Sequence, residues 1–302
     1  MVRQNTLVSL FLVAAALVAC ESKDNSKKSD EPQELWTVSE GIDTPESVYF
    51  DTATQQIFVS NIAGGATDKD GRGWISRLSR EGKVLNAQWV AGLNAPKGLR
   101  SFGDRLWVAD IDRLLAISIS QGKILDSFEL TGAKFLNDVT VDSVGTVFVS
   151  DMFDNKIYRT RLVNGAYEKP TVYLEGQDQL INPNGLLVHN GELIIGRWGS
   201  PIKDDFSTDQ PGSLAFAPLT EAAVARSLPE LGNIDGIELL NDKELVVSDF
   251  VAGRIYRVQL ENGKAQLLRS DKSGTADIGL IPQDKILLVP YFNDKMIKAF
   301  QL

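Results

Sequence analysis

The sequence predicts an all-β fold, a six-bladed β-propeller whose last blade is closed by the N-terminal strand. Three observations lead there. A two-part phrase recurs six times, its interval is that of a propeller blade, and convincing amphipathic helices are absent. The first part of the phrase is a turn-favouring residue leading into an apolar strand. It reads Pro45-Glu46-Ser47, Pro96-Lys97-Gly98, Leu136-Asn137-Asp138, Pro183-Asn184-Gly185, Ile234-Asp235-Gly236 and Ala276-Asp277-Ile278. The second part is an alternating strand with a polar end, as in Ile57-Phe58-Val59-Ser60-Asn61, Leu106-Trp107-Val108-Ala109-Asp110 and Val147-Phe148-Val149-Ser150-Asp151. Leu193 to Arg197, Leu245 to Asp249 and Ile286 to Pro290 continue the series.

The middle residues of the first part, from Glu46 to Asp277, follow one another at 40 to 51 residues, a blade-sized period. Glu81-Gly82, Asn164-Gly165, Asn190-Gly191 and Asn262-Gly263 supply hairpin turns with positive φ. Only Thr220 to Ser227 has a short helical look. The last repeat runs out at its third strand, Met296 to Leu302, while a spare strand, Leu35 to Ser39, precedes the first. Pairing the two completes a four-stranded blade and removes two free edges. Residues 34–302 then form one ring. The alternative, an open β-solenoid, has a much shorter period.

The N-terminus reads as a targeting segment. Arg3 is a short basic region, Leu7 to Val18 an apolar core too short to span a bilayer, and Leu17-Val18-Ala19-Cys20 ends it. This ending resembles a bacterial lipobox, in which Cys20, the only cysteine of the chain, is acylated. Residues 1–20 are then a lipoprotein signal peptide, and the polar segment Glu21 to Gln33 a flexible tether. The alternative is an ordinary signal peptide with Cys20 incidental. With Glu21 rather than Asp after the cysteine, the expected location is the bacterial cell envelope, lipid-anchored in the outer membrane and facing the periplasm. The chain carries 31 basic against 40 acidic side chains, a balance that repels phosphate backbones and argues against nucleic acid as a partner. A monomer is expected.

In a propeller the innermost strands all start at one face beside the central axis, so Glu46, Lys97, Asn137, Asn184, Asp235 and Asp277 converge there. Three carboxylates and two carboxamides make an oxygen-rich cage suited to a hard cation. Zinc and copper are disfavoured, since Cys20 lies in the anchor segment and His189, the only histidine, in a blade turn. The alternative is that these side chains bond to nearby backbone N–H groups in a wet, polar channel.

At these residues the sequence resembles the senescence marker protein (regucalcin), gluconolactonase and luciferin-regenerating enzyme family. Its first-blade glutamate phrase resembles Thr44 to Asp51, its Asn-Asp-Gly phrase Asn137-Asp138-Val139, its Pro-Asn-Gly phrase Pro183-Asn184-Gly185, and its Pro-Asp-Gly phrase Ile234-Asp235-Gly236. The resemblance implies one axial divalent metal, held directly by Glu46, Asn184 and Asp235, with Asn137 near metal and substrate. Two departures stand out: Phe135 occupies the place of the arginine found in family gluconolactonases, and Val139 that of the glycine. These argue against sugar-acid lactones and for a more apolar substrate. Lys97 binds a substrate carboxylate, pairs with Asp277, or stays solvated at the channel mouth.

Around this axis the repeat puts the ends of the second strands. Asp110, Asp151 and Asp249 occupy one equivalent position and read as turn-binding residues; Arg197-Trp198 breaks that pattern and is expected to contact substrate. Met152, Phe153, Trp198, Phe250, Tyr291 and Phe292 are expected in an apolar pocket wall or in packing between blades. The stretches Asn61 to Gly73 and Gly196 to Gly212 read as long loops, either lids or disordered tips. Asp68-Lys69-Asp70-Gly71 is rejected as an EF-hand, because its twelfth position is Ser79.

The function expected is hydrolysis of a lactone or related ester, dependent on a divalent metal with Ca²⁺ the expected ion. Asp235 orients or deprotonates the attacking water, and Asn137, Lys97, Phe135, Arg197 and Trp198 contact substrate. No Gly-x-Ser-x-Gly elbow is present and His189 builds no triad. The competing expectation is a non-catalytic ligand- or protein-binding propeller of the cell envelope.

Overall fold

Unbroken apolar runs in the inner strands, such as Ile57-Phe58-Val59, put apolar side chains on both faces of a sheet, so each sheet needs a partner on either side. Ile57 and Val59 of the first blade pack towards the last blade, while Phe58 between them packs towards the second. The same division repeats around the molecule. Six apolar clusters result, each shared by two successive blades, with the sixth joining blades 5 and 6. Each fully buried Val, Leu, Ile or Phe contributes about 1.5–3 kcal/mol. The core is therefore a ring of inter-blade layers.

The computed structural model describes Met1 and residues 31–302. Blade 1 runs through Pro45–Asp51, Gln56–Asn61, Gly73–Ser79 and Val84–Leu93, and blade 2 through Pro96–Phe102, Arg105–Asp110, Arg113–Ser118 and Lys123–Glu129. Blade 3 comprises Leu136–Val141, Val147–Asp151, Lys156–Thr160 and Thr171–Glu175. Blade 4 comprises Pro183–His189, Glu192–Arg197, Thr208–Pro218 and Arg226–Gly232, with Gly199–Ile202 added beside Thr208–Pro218. Blade 5 comprises Ile234–Asn241, Glu244–Asp249, Arg254–Gln259 and Ala265–Ser270. Blade 6 takes Gly279–Ile281, Ile286–Tyr291 and Met296–Gln301 from the end of the chain and Gln33–Val38 from its beginning. Each innermost strand contacts the innermost strand of the next blade, and that of blade 6 contacts that of blade 1. The fold is a closed six-bladed β-propeller.

Several local expectations are corrected. The closing strand starts at Gln33, so the tether expected through Gln33 ends earlier; Glu31 already accepts a bond from Arg269 at 3.3 Å. The signal segment, Cys20 and tether residues 21–30 lie outside the described residues. Thr220 to Ser227 is no helix: a turn there leads into the strand Arg226–Gly232. The single short helix among the described residues is Gln177–Leu180. Gly196 to Gly212 is not an open loop but a β-hairpin, with Gly199 opposite Pro211 and Ile202 opposite Thr208. In blade 6 the innermost strand is reduced to Gly279–Ile281, and Asp277 joins Ser47 of blade 1 through a single parallel bridge.

Phe58 is fully buried at the interface of blades 1 and 2, with its ring 5.1 Å from that of Trp89. Phe58→Ala is expected to destabilise the ring by about 3–5 kcal/mol, read as a lowered midpoint in urea unfolding; an unchanged midpoint would contradict the inter-blade core.

Candidate functional site

The recurring phrase becomes a β-bulge. Pairing between innermost and second strands slips between Pro45 and Val48, Pro96 and Leu99, Leu136 and Val139, Pro183 and Leu186, and Ile234 and Ile237. The two residues in each slip have no partner in the ladder, and a bulge redirects their side chains. Glu46, Lys97, Asn137, Asn184 and Asp235 are the first of these two in their blades, which is why they reach the axis.

The second bulge residue sets how closely the blades approach. A Cβ added to Gly185 would lie 1.9 Å from the Asp235 carbonyl oxygen, and one added to Gly236 would lie 2.3 Å from the Ile278 nitrogen. Serines at the ends of the second strands hold the bulges. The Ser47, Asp138 and Gly236 N–H groups donate to Ser60, Ser150 and Ser248 Oγ at 2.9, 2.9 and 2.8 Å. The hydroxyls of Ser150 and Ser248 then donate to the carbonyls of Asn184 and Ala276, in the next blade's phrase, at 2.8 and 2.9 Å. Asp110, Asp151 and Asp249 grip the incoming turn as expected of turn-binders. Asp110 accepts from the N–H of Ala95 at 2.7 Å and Asp151 from that of Phe135 at 2.9 Å.

Glu46, Lys97, Asn137, Asn184 and Asp235 line one cavity of about 270 Å³ together with Phe135, Trp198 and other apolar side chains. Glu46 Oε2, Asn184 Oδ1 and Asp235 Oδ1 are buried and have no hydrogen-bond partner among the described residues. Asn137 Nδ2 donates weakly to Met152 Sδ at 3.8 Å. Among the described residues no three His, Cys, Asp or Glu side chains gather as a metal-holding group. The converging donors are instead two carboxylates and a carboxamide, the hard oxygen set that suits Ca²⁺ better than a soft metal.

Burial and mutual repulsion set the electrostatics. Burial, then Asp235 and Asp277, raise the Glu46 carboxyl well above its usual range, against Lys97. Burial and then Asp277 do the same to Asp235, against the Asn184 amide. Asp277 is raised by burial and by Asp138, against Arg100 and Ser47. Burial lowers the Lys97 amine to about 8, against Glu46 and Asp110. Asp277 does not line the cavity; it accepts a 2.5 Å bond from Ser47 Oγ in a tier beneath. In that tier Arg100 of blade 2 donates to Glu238 of blade 5 at 2.8 Å, joining opposite sides of the ring.

Two expectations about individual residues change here. Lys97 neither stays solvated nor pairs with Asp277: it is 1% exposed and donates to the carbonyls of Ala66 and Ala95 at 3.0 and 2.8 Å. Its ammonium sits 4.5 Å from the Phe135 ring centroid. Arg197 does not enter the cavity. Its guanidinium donates to Gln179 O and, at 2.9 Å, to Ser227 Oγ, because its strand alternation turns it into blade 4. Tyr291 takes the second of the two places expected for it, packing between blades 5 and 6, and donates to Asp271 at 2.8 Å. Phe206, by contrast, joins the wall without having been expected. Its position at a hairpin tip has no counterpart in the other repeats, so periodicity held no signal for it. A larger surface groove of about 650 Å³, lined by His189, Asp242 and Glu261 among others, holds none of the unpartnered buried polar atoms found among the described residues.

No family model matches the chain, and no curated protein matches it. Solved structures share its fold. The β-propeller domain of Cps50 (Swd1) from Myceliophteria thermophila superposes with a TM-score of 0.59 at 10% identity, over 90% of this chain and 100% of that one. Hydrazine synthase from Kuenenia stuttgartiensis superposes with a TM-score of 0.61 at 11% identity, over 88% and 97%. At such identities the likeness concerns the propeller architecture alone.

Two outcomes test the site's construction. Gly185→Ala is expected to cost about 1–3 kcal/mol by overpacking, because the atom it meets is backbone; a neutral effect on thermal unfolding would refute the close approach. The raised carboxyls bind protons more tightly folded than unfolded. Their contribution is complete below the ordinary carboxylate value of about 4 and is lost as pH rises through the folded values. Lys97, lowered to about 8, acts in the opposite sense only above that pH. In the presence of a chelator, the melting temperature is therefore expected to fall from mildly acid to neutral pH, and to fall less steeply in Asp235→Asn. An identical slope in the variant would contradict this.

Proposed function

We propose that the protein is a divalent-cation-dependent hydrolase, with Ca²⁺ the best-matched ion, acting on a lactone or related ester at the axial cavity. One observation carries this reading: buried, unpartnered oxygens of Glu46, Asn184 and Asp235 line a single cavity yet come from three separate blades. Leaving a buried polar atom unmade costs about 1–3 kcal/mol, so three in one place favour a cation as their shared partner. Glu46, Asn184 and Asp235 would hold it. A cation held there would supply Lewis-acid stabilisation of the charge that develops on an ester carbonyl.

The side chains do the rest. Asp235, ligand and carboxylate together, orients the attacking water and takes its proton, a role worth about 10²–10⁴ in rate. Asn137, whose amide has only a sulfur acceptor, donates to the substrate oxygen. Lys97 has two of its three N–H donors committed to carbonyls and turns its charge towards the cavity, where it offsets the carboxylates. Phe135 and Trp198 shield the ester from bulk solvent. The same proposal includes a lipid on Cys20 that holds the propeller at the outer membrane, facing the periplasm.

The second reading, a non-catalytic binding propeller, draws on Phe135 and Val139, which replace the arginine and glycine of the resembling family. Calorimetric titration separates the two, since a platform does not need a metal. Asp235→Ala is expected to abolish both Ca²⁺ binding and turnover of lactones and aryl esters. Asn137→Ala is expected to lower kcat by about 10²–10³ while Ca²⁺ affinity stays close to that of the parent. Hydrolysis retained in Asp235→Ala would sink the mechanism.

A further inference from the structure

Five aromatic rings, those of Phe135, Trp198, Phe206, Phe250 and Phe292, line the cavity together with Ile62, Ala66 and Met152. Starting at Phe135, ring centroids follow one another at 4.4 Å to Phe153, 6.3 Å to Phe206, 6.5 Å to Trp198, 5.7 Å to Phe250 and 5.6 Å to Phe292. The six rings, from blades 3, 4, 5 and 6, form a continuous arc; five of them line the cavity, while Phe153 is not among its lining residues and links Phe135 to Phe206. The first two pairs along it are stacked, at 26° and 27°, and the next three are tilted or edge-on, at 44° to 76°. The arc therefore offers both faces and edges to a guest, the two geometries aromatic pairs prefer.

We infer that the axial cavity takes a small, flat aromatic lactone or aryl ester, with the ring held in the arc and the ester carbonyl at the floor. This deepens the hydrolytic reading and rests on it. Three features support the choice. The volume of about 270 Å³ lies just under the 300–1,000 Å³ of drug-sized sites, room for one ring or two fused rings. The polar groups Glu46, Lys97, Asn137, Asn184 and Asp235 are confined to the floor of the innermost bulges, while Asp205, Ser273 and Asn293 sit out at the rim. A sugar-acid lactone, with a hydroxyl on nearly every carbon, would press those hydroxyls against rings that accept no ordinary hydrogen bond.

The arc is also fixed in advance. Phe206 sits at the hairpin tip with φ of 63°, in the left-handed region that bulky residues seldom adopt. Its carbonyl accepts a bond from Trp198 Nε1 at 2.8 Å, and its N–H donates to Lys203 O at 2.9 Å. One ring of the wall thus anchors the backbone that carries another, which reduces the ordering a ligand must impose.

The experiment uses the full chain loaded with Ca²⁺. Turnover of dihydrocoumarin, a benzo-fused lactone, is compared with that of δ-valerolactone and glucono-δ-lactone, and binding of the non-hydrolysable 2-naphthamide is measured by calorimetry. The aromatic lactone is expected to exceed both others in kcat/KM by about tenfold, the scale of one or two aromatic pair contacts. Phe206→Leu, which keeps an apolar side chain, and Phe250→Ala are expected to narrow that ratio and weaken 2-naphthamide binding. Equal turnover of aromatic and aliphatic lactones would overturn the inference and leave the hydrolase reading intact. Binding of 2-naphthamide that depends on Phe206, with no lactone or ester hydrolysed, would support the aromatic site and remove the hydrolase reading. Failure of 2-naphthamide to bind would overturn the aromatic site.

Discussion

Six blades can meet around an axis only if their innermost strands come nearly into backbone contact. That crowding governs the rest of the molecule. Where the carbonyl of Asp235 lies 1.9 Å from the place of a Gly185 Cβ, no side chain fits, and glycine or a bulge is the local solution. Because the ladder slips at this point in five blades, the crowded residue and its neighbour leave the regular pleat. The neighbour is then aimed at the axis. A packing constraint thereby becomes a device for gathering polar side chains from distant parts of the sequence.

The cost of that gathering is electrostatic. Burial and close company raise the carboxyls of Glu46, Asp235 and Asp277 together. Beneath them burial pushes Asp138 up to about 7, even against Arg100 and against bonds from the backbone N–H groups of Val139 and Leu186. Two cations answer this accumulation of acids. Lys97 stands at the upper tier, and Arg100 at the lower one, where its bond to Glu238 also ties blade 2 to blade 5. The two side chains of that bond are 14% and 13% exposed, so solvent partly screens the pair.

Much of this was legible in the sequence because the repeat is itself a physical object. The period, the apolar alternation and the spare first strand follow from blade geometry, and the positions of Glu46, Asn184 and Asp235 follow from equivalence under the ring's symmetry. What escaped were the features that break that symmetry. Lys97, read as binding a substrate carboxylate, pairing with Asp277 or staying solvated, has its ammonium satisfied by Ala66 O from an irregular blade 1 loop and by the carbonyl of Ala95, two residues before it. Arg197 shares its position with turn-binding aspartates, but a long cation finds acceptors in the Gln177–Leu180 helix and in blade 4 instead. The hairpin carrying Phe206 is an insertion, and its strand pairing is set by tertiary contacts that alternation alone does not encode.

The strand pairing of Gln33 with Gln301 has a kinetic meaning. A terminal blade woven from both extremities of the ring cannot be assembled until nearly the whole polypeptide exists. Five blades can accumulate in order, each on its predecessor, as an arc with two naked flanks. The concluding event joins segments more than 260 residues apart, and its loop-closure entropy makes it the slow one. Asp277 and the bridge to Ser47 belong to that seam. Blades 1 to 5 supply Glu46, Lys97, Asn137, Asn184 and Asp235, and the closing blade adds Phe292 and Asn293, so the cavity is complete only once the seam has shut.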